Sequence, residues 1–228
     1  MLTLTRDQLP TAAVLVVSNV QQPQRTHELN RRMQLAYDGI AEIYASRNAH
    51  LPDFYADLGL RFLALARPGR DVLDAGCGVG RDLAWLESQG CQTIGIDLSR
   101  GMLRLARHVT ASALTQGDLR HLPFTSNHLG GVWCSASLLH LPRADSRSAV
   151  QELRRVVVFG APLLLAVQEG VGQQWVRGRY ASEERLFTLY RQPELEALVG
   201  SCGFRLHELH RRADSQRTWL TLLAVAAA

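Results

Sequence analysis

Val72-Leu73-Asp74-Ala75-Gly76-Cys77-Gly78-Val79-Gly80-Arg81-Asp82 sets two apolar residues, an acid and three alternating glycines directly before the amphipathic Leu83-Ala84-Trp85-Leu86. That order predicts a buried parallel strand, a glycine turn and a helix whose first N–H groups are free. Alternating glycines let the backbone take positive φ and let a ligand lie against it with no Cβ between. The turn suits a nucleoside-bearing ligand.

A dinucleotide loop reads G-x-G-x-x-G, with a pyrophosphate on the helix N-terminus. Here the glycines run G-x-G-x-G, and Arg81 stands where the third glycine of that fingerprint belongs. Asp74, two residues before the first glycine, would repel a pyrophosphate and attract an amino or sulfonium group. The spacing leans towards S-adenosylmethionine and away from NAD. By itself a glycine loop is weak evidence, so the case rests on partners further along.

The chain has 228 residues, 46% hydrophobic and 20% charged, which fits one soluble α/β domain with a substantial core. Its formal charge of +4 comes from arginines alone, spread along the chain with short pairs at Arg31-Arg32, Arg154-Arg155 and Arg211-Arg212. A nucleic-acid stripe would be denser, so solvated helix faces are the favoured reading. Cys77, Cys91, Cys134 and Cys202 are widely spaced with no C-x-x-C pair, which predicts reduced thiols, no zinc site and a cytoplasmic setting. The apolar run at 12–17 is too short for a membrane span and poor as a signal peptide.

Residues 1–30 read as an extension of undecided structure, with Gln21-Gln22-Pro23-Gln24 resembling a linker. Leu29, Met33, Tyr37, Ile40 and Tyr44 recur at helical spacing, so Tyr37 and Tyr44 share a face, as ligand contacts or as core aromatics. A second helix over 54–66 completes a helical cap at 31–66 and stops at Arg67-Pro68-Gly69. The helix after the glycine loop ends near Ser88, with Gly90 as terminator. Gln92–Asp97 is the second strand, and Asp97 falls seventeen residues after Gly80, where a doubly wound domain grips ribose hydroxyls. Ser99 is the natural N-cap of the next helix, which leaves Asp97 for ligand. A short third strand at 114–116 leads into Asp118, either a turn former or an acceptor for an exocyclic amine. Residues 130–137 form the fourth strand, followed by Leu138-Leu139-His140-Leu141-Pro142; a helix over 145–157 and a fifth strand over 162–168 come next, with Glu169-Gly170 at its end. Residues 171–192, with Trp175, Arg177, Arg179 and Tyr180, break the rhythm as an insertion over the crevice at the strand ends. A helix at 193–201 and a hairpin of strands at 204–210 and 218–225 close the chain. Strands alternating with helices imply a parallel sheet with right-handed crossovers.

Together these stations resemble a class I S-adenosylmethionine-dependent methyltransferase of the small bacterial branch. The resemblance covers about residues 35–225 and rests on Leu73–Asp82, Ile96-Asp97-Leu98-Ser99, Gly117-Asp118-Leu119 and Ser135–Leu141, in order and at the right intervals. Val167–Gly170, Arg179-Tyr180 and Cys202-Gly203-Phe204 also match. It implies a Rossmann-like seven-stranded mixed sheet of order 3-2-1-4-5-7-6, strand 7 antiparallel, with helices on both faces and one methyltransferase domain over 31–228. By resemblance, Gly76, Cys77, Gly78 and Gly80 form the loop under the methionine part of the cofactor, and Asp74 supports its amino end. Asp97 takes the ribose hydroxyls, Leu98 and Met102 flank the adenine, and Asp118 with the Leu119 backbone N–H reads its edge. Ser135 faces the methionine amine, and Tyr37 and Tyr44 close over the cofactor. Gly130, where the family often has an acid, and Phe159-Gly160-Ala161-Pro162, where it commonly has a Pro-Gly-Gly turn, depart from the pattern away from these contacts.

Methyl transfer from a sulfonium is an in-line displacement that depends on positioning, with a base where the acceptor is a hydroxyl. His140 is the first candidate base, against a structural role capping its loop, and Glu169 the second candidate for orienting an acceptor. The expected activity is methylation of an oxygen or nitrogen of a small molecule by a monomer or homodimer, with no metal and no membrane. The alternatives are an RNA methyltransferase and a non-catalytic, regulatory S-adenosylmethionine-binding protein. An NAD-dependent dehydrogenase is disfavoured by Asp74 and Arg81.

Overall fold

A computed structural model describes residues 22–177, 184–214 and 217–228, the side chains of 22–25 excepted. The apolar run at 12–17 and the Arg179-Tyr180 pair lie outside the described residues.

The seven-stranded sheet has the order β3-β2-β1-β4-β5-β9-β8. Its strands are β1 (Val72–Ala75), β2 (Thr93–Asp97), β3 (Ala113–Gln116), β4 (Gly131–Ser135), β5 (Pro162–Gln168), β8 (Phe204–Ala213) and β9 (Thr218–Ala226). Counting only this sheet's strands, the order is the expected 3-2-1-4-5-7-6. β1 pairs parallel to β2 and β4, β2 to β3 and β4 to β5, whereas β9 runs antiparallel to both β5 and β8.

Alternation along the central strands divides the core. Val132, Cys134, Leu163 and Leu165 face one side with Ala149, Val150 and Leu153 of α5 (Arg143–Val156) and Leu195 of α6 (Gln192–Ser201). Val72, Trp133, Leu164 and Leu223 face the other, against Leu58 and Phe62 of α2 (Asp53–Leu65) and Leu86 of α3 (Arg81–Ser88). Such two-sided burial is why these strands read as near-continuous apolar runs. Trp133 is fully buried, meets Phe62 edge-on at 5.5 Å and donates its indole N–H to Asp82 Oδ2 at 2.9 Å, so its polar atom is satisfied inside the core.

Three elements differ from expectation. The first helix, α1 (Gln22–Arg47), includes Gln22-Pro23-Gln24, so these three residues are helix and not linker. The insertion holds a separate antiparallel hairpin, β6 (Gln173–Arg177) and β7 (Glu184–Thr188). His140 sits in a short 3₁₀ turn, Leu138–His140, directly after β4.

Candidate cofactor and acceptor site

Parallel strands leave their carboxyl ends at one edge of the sheet, and β1, β2 and β4 deliver the glycine loop, Asp97 and Ser135 there. A cavity with about 820 Å³ of empty space, its mouth included, lies at that edge under α1.

The loop is shaped by positive φ at Gly76 (89°), Gly78 (53°) and Gly80 (83°). Their surroundings differ. A Cβ at Gly76 would fall 2.2 Å from Ser137 Cβ, whereas one at Gly78 would meet no atom within 4 Å. Gly76 therefore lets the loop pack on the strand-4 turn, and Gly78 leaves open space on the cavity side. Both line the cavity, while Gly80 is the left-handed N-cap of α3. Cys77 is buried with Leu83 and Leu103 behind the loop, its thiol pushed up by burial, and contributes backbone alone.

Asp97 lines the cavity with its oxygens partly engaged: Oδ2 accepts from the Gly78 N–H at 2.9 Å and Oδ1 from the Ser99 N–H at 2.8 Å. Ser99 does cap α4 (Arg100–Ala106), accepting from Met102 N at 3.0 Å, but Asp97 is less free than the sequence suggests. It pins the loop to the start of α4 and keeps lone pairs for a ligand. Burial raises its pKa against the pull of those N–H groups.

Asp74 is 2% exposed, and its Oδ2 has no hydrogen-bond partner. Burial first, then the like charge of Asp82, holds its carboxyl well above the usual range, partly countered by Arg81. An orphaned, buried carboxyl beside the glycine loop is the environment an incoming ammonium would complete.

Leu98, Met102, Leu119 and Ser135 line the cavity. So does Asp118, within a network unseen in the sequence. Arg120, 5% exposed, donates to Asp118 Oδ2 at 2.6 Å and to Asp145 Oδ2 at 2.6 Å, and Asn30 of α1 donates to Asp118 Oδ2 at 2.8 Å. Burial alone would raise the Asp118 carboxyl; the Arg120 and Asn30 hydrogen bonds bring it below its usual value. The Asn30 amide already stands at that carboxylate as an exocyclic amine would.

α1 roofs the cavity with Asn30, Met33, Tyr37 and Tyr44. Asp38 Oδ1 fixes its position by accepting from Ser99 Oγ at 2.5 Å and Gly101 N at 2.7 Å. A Cβ at residue 101 would come 2.9 Å from Asp38 Cα, so only glycine allows that approach. Helical spacing could have flagged Asn30; Arg120 and Asp38 carried no signal beyond their charge.

Tyr37 and Tyr44 meet edge-on with centroids 6.4 Å apart, and the Tyr37 hydroxyl is hydrogen-bonded to His140 Nε2. His140 Nδ1 lies 2.7 Å from the Leu186 carbonyl. A carbonyl only accepts, so Nδ1 carries the proton and Nε2 accepts from the tyrosine O–H. Burial lowers the His140 pKa to about 4, with Arg185 and Arg217 adding like charge, so the ring is neutral near pH 7. Burial raises both tyrosines. Glu169 is not brought to this cavity. Its carboxylate pairs with Arg211 Nε at 2.6 Å beside a second cavity at the end of β5.

A methyltransferase-domain family model matches residues 72–160, from β1 to the turn before β5. A malonyl-[acyl-carrier protein] O-methyltransferase from Erwinia pyrifoliae is 33% identical over 177 residues, 71% of this chain and 63% of that protein. Over residues 72–160 the chain carries the methyltransferase-domain match, and it resembles the class I S-adenosylmethionine-dependent methyltransferases. A methyltransferase from Streptomyces halstedii is 33% identical over 106 residues, 43% of this chain and 37% of that protein. The chain thus spans less than two thirds of the length of either relative. The CcbJ methyltransferase of Streptomyces caelestis shares the methyltransferase fold, with a TM-score of 0.69 at 20% identity over 86% of this chain and 99% of that one. The glycopeptide N-methyltransferase MtfA, solved with S-adenosylhomocysteine, shares the fold, with a TM-score of 0.60 at 17% identity over 75% of this chain and 87% of that one. Among the described residues no helix is long and apolar enough to cross a membrane, and no cluster of three His, Cys, Asp or Glu side chains could hold a metal.

Proposed function

We propose that this protein is an S-adenosylmethionine-dependent methyltransferase acting on an oxygen or nitrogen of a small molecule. The observation that carries the reading is the convergence on one roofed cavity of the Gly76–Gly78 loop, Asp97, Asp118 and the Tyr37–His140 pair. The open side of Gly78 and the orphaned Asp74 oxygen fit the methionine portion of the cofactor. Asp97 takes the ribose hydroxyls, Leu98 and Met102 flank the adenine, Asp118 and the Leu119 N–H read its edge, and Ser135 faces the amine. When bound, the cofactor supplies an electrophilic methyl on a sulfonium. A relative named for O-methylation supports transfer to oxygen.

The chain's own work is positioning and proton handling. Tyr37 and Tyr44 cover the reacting end and exclude water. A neutral His140 adds no charge to repel a sulfonium. For an acceptor that sheds a proton, the Tyr37 oxygen receives it as the Tyr37 hydroxyl proton passes to His140 Nε2, leaving an imidazolium. His140 lines the cavity too, but its Nε2 is engaged by the Tyr37 hydroxyl, so it acts through the tyrosine. For a carboxylate acceptor no proton moves, and Tyr37 only orients.

The test is product formation with methyl-labelled S-adenosylmethionine over a panel of small hydroxyl, carboxylate and amine acceptors. Tyr37→Phe should lower kcat at least tenfold on a proton-shedding acceptor and leave S-adenosylhomocysteine affinity within twofold. Tight cofactor binding with no methyl transfer across the panel would favour a non-catalytic role.

A further inference from the structure

We infer that the methyl acceptor carries an oxyanion, a carboxylate or a phosphate, held by Arg185 and Arg217 beside Phe187. This rests on the reading of the first cavity as the cofactor site.

The second cavity holds about 960 Å³ of empty space, mouth included, at the carboxyl end of β5, with Gln168, Glu169, Gln174, Phe187, Asp214 and Arg217 in its wall and Arg185 beside Phe187 just outside it. Gln174 is paired with Phe187 and Val176 with Arg185 across the β6–β7 hairpin, so these four side chains share one face. The Phe187 ring lies 4.9 Å from His140, which lines the first cavity. One aromatic ring therefore separates the proposed methyl-transfer position from the second cavity.

Both guanidiniums lean on that ring, Arg185 at 5.5 Å and Arg217 at 5.9 Å, and Arg185 also stacks 5.5 Å from Tyr37. Neighbouring arginines are neutralised: Arg211 by Glu169 at 2.6 Å, Arg143 by Glu194 at 3.4 Å and Arg32 by Glu184 at 3.6 Å. Among the described residues neither Arg185 nor Arg217 enters an ion pair, and Arg185 Nε is buried with no hydrogen-bond partner. Asp214 accepts from the Arg217 backbone N–H at 2.8 Å and from Trp219 Nε1 at 3.3 Å. Two arginine charges beside a site for a cationic sulfonium are unfavourable unless something negative joins them. The acceptor is the component that arrives together with the cofactor, and the planar guanidinium fork matches a carboxylate or phosphate. Anchoring that group at Phe187 would leave the rest of the molecule to reach past the ring towards Tyr37.

The protein saturated with S-adenosylhomocysteine is titrated calorimetrically with inorganic phosphate and, separately, with succinate, at constant ionic strength. At least one anion should bind saturably, and Arg185→Gln and Arg217→Gln should each weaken it tenfold or more. Arg205→Gln, on an exposed part of β8, should change it less than twofold. Preference for phosphate identifies a phosphorylated acceptor, and preference for succinate a carboxylated one. If neither anion binds the loaded protein, or Arg205→Gln weakens binding as much as the other two, the inference is overturned. Failure of S-adenosylhomocysteine itself to bind would instead overturn the cofactor reading. Unchanged S-adenosylhomocysteine affinity in both arginine variants keeps the two conclusions separable.

Discussion

Replacing Asp97 by alanine removes a carboxylate whose two oxygens hold the Gly78 and Ser99 N–H groups. Each hydrogen bond to a charged group is worth roughly 1.5–3 kcal/mol. Asp97 is only half-buried, and water can replace it at both donors, so the expected loss of stability is about 2–3 kcal/mol rather than the sum. In the proposed complex the same carboxylate accepts from the ribose hydroxyls. Its removal should therefore weaken S-adenosylhomocysteine by a further ~1.5–3 kcal/mol, about tenfold to 150-fold in Kd. Loosening of the loop alone could also weaken binding. A 2′,3′-dideoxy analogue separates the two effects through a double-mutant cycle. The analogue should bind wild type more weakly than the parent ligand and lose little more in Asp97→Ala. If parent and analogue lose equal affinity in the variant, the ribose assignment is refuted, whatever the variant does to stability.

Burial and Asp82 raise the Asp74 carboxyl, so an ammonium that binds its ionised form should expel a proton. Calorimetry in buffers of different ionisation enthalpy should show proton release on S-adenosylhomocysteine binding, and Asp74→Asn should abolish both the release and most of the affinity; binding without release from wild type would contradict the assignment. His140 has a folded pKa of about 4 against an ordinary 6.5, so unfolding takes up a proton between those values. The native state should keep its full stability above pH 6.5 and lose about 3 kcal/mol as pH falls to 4, a loss that urea denaturation should find missing in His140→Gln. Arg120→Ala would strand Asp118 and Asp145 in a largely buried network and should cost about 3–5 kcal/mol by the same assay; a loss under 1 kcal/mol would show that water replaces the guanidinium.

The sheet was legible because its central strands are buried on both faces: Leu163-Leu164-Leu165 and Val132-Trp133-Cys134 need no periodicity to read as core. Asp97 and Asp118 were legible because parallel strands put their last residues at one edge, at distances along the chain that the fold itself sets. The β6–β7 hairpin was missed because Gln173-Gln174-Trp175 lies exposed while Leu186, Phe187 and Thr188 are all buried, so neither strand alternates. The partners of Asp118 were missed because Asn30 and Arg120 come from elements 90 residues apart and only the folded chain brings them together. Ala136, which lines the cavity at φ 57°, gives no hint of that conformation in its residue type. His140 was identified from its position after β4. That a tyrosine hydroxyl would engage its Nε2 depended on where α1 packs.

Gly78→Val probes the cofactor site most directly. A left-handed residue with a side chain costs about 1–2 kcal/mol of fold, yet a Cβ at Gly78 meets no protein atom within 4 Å, so the added methyls enter the space assigned to the methionine portion. Calorimetric titration with S-adenosylhomocysteine should give one site per chain in wild type and at least 100-fold weaker binding in Gly78→Val, with the variant still folded by circular dichroism. Absence of binding to wild type, or equal binding by a folded Gly78→Val, would contradict the account.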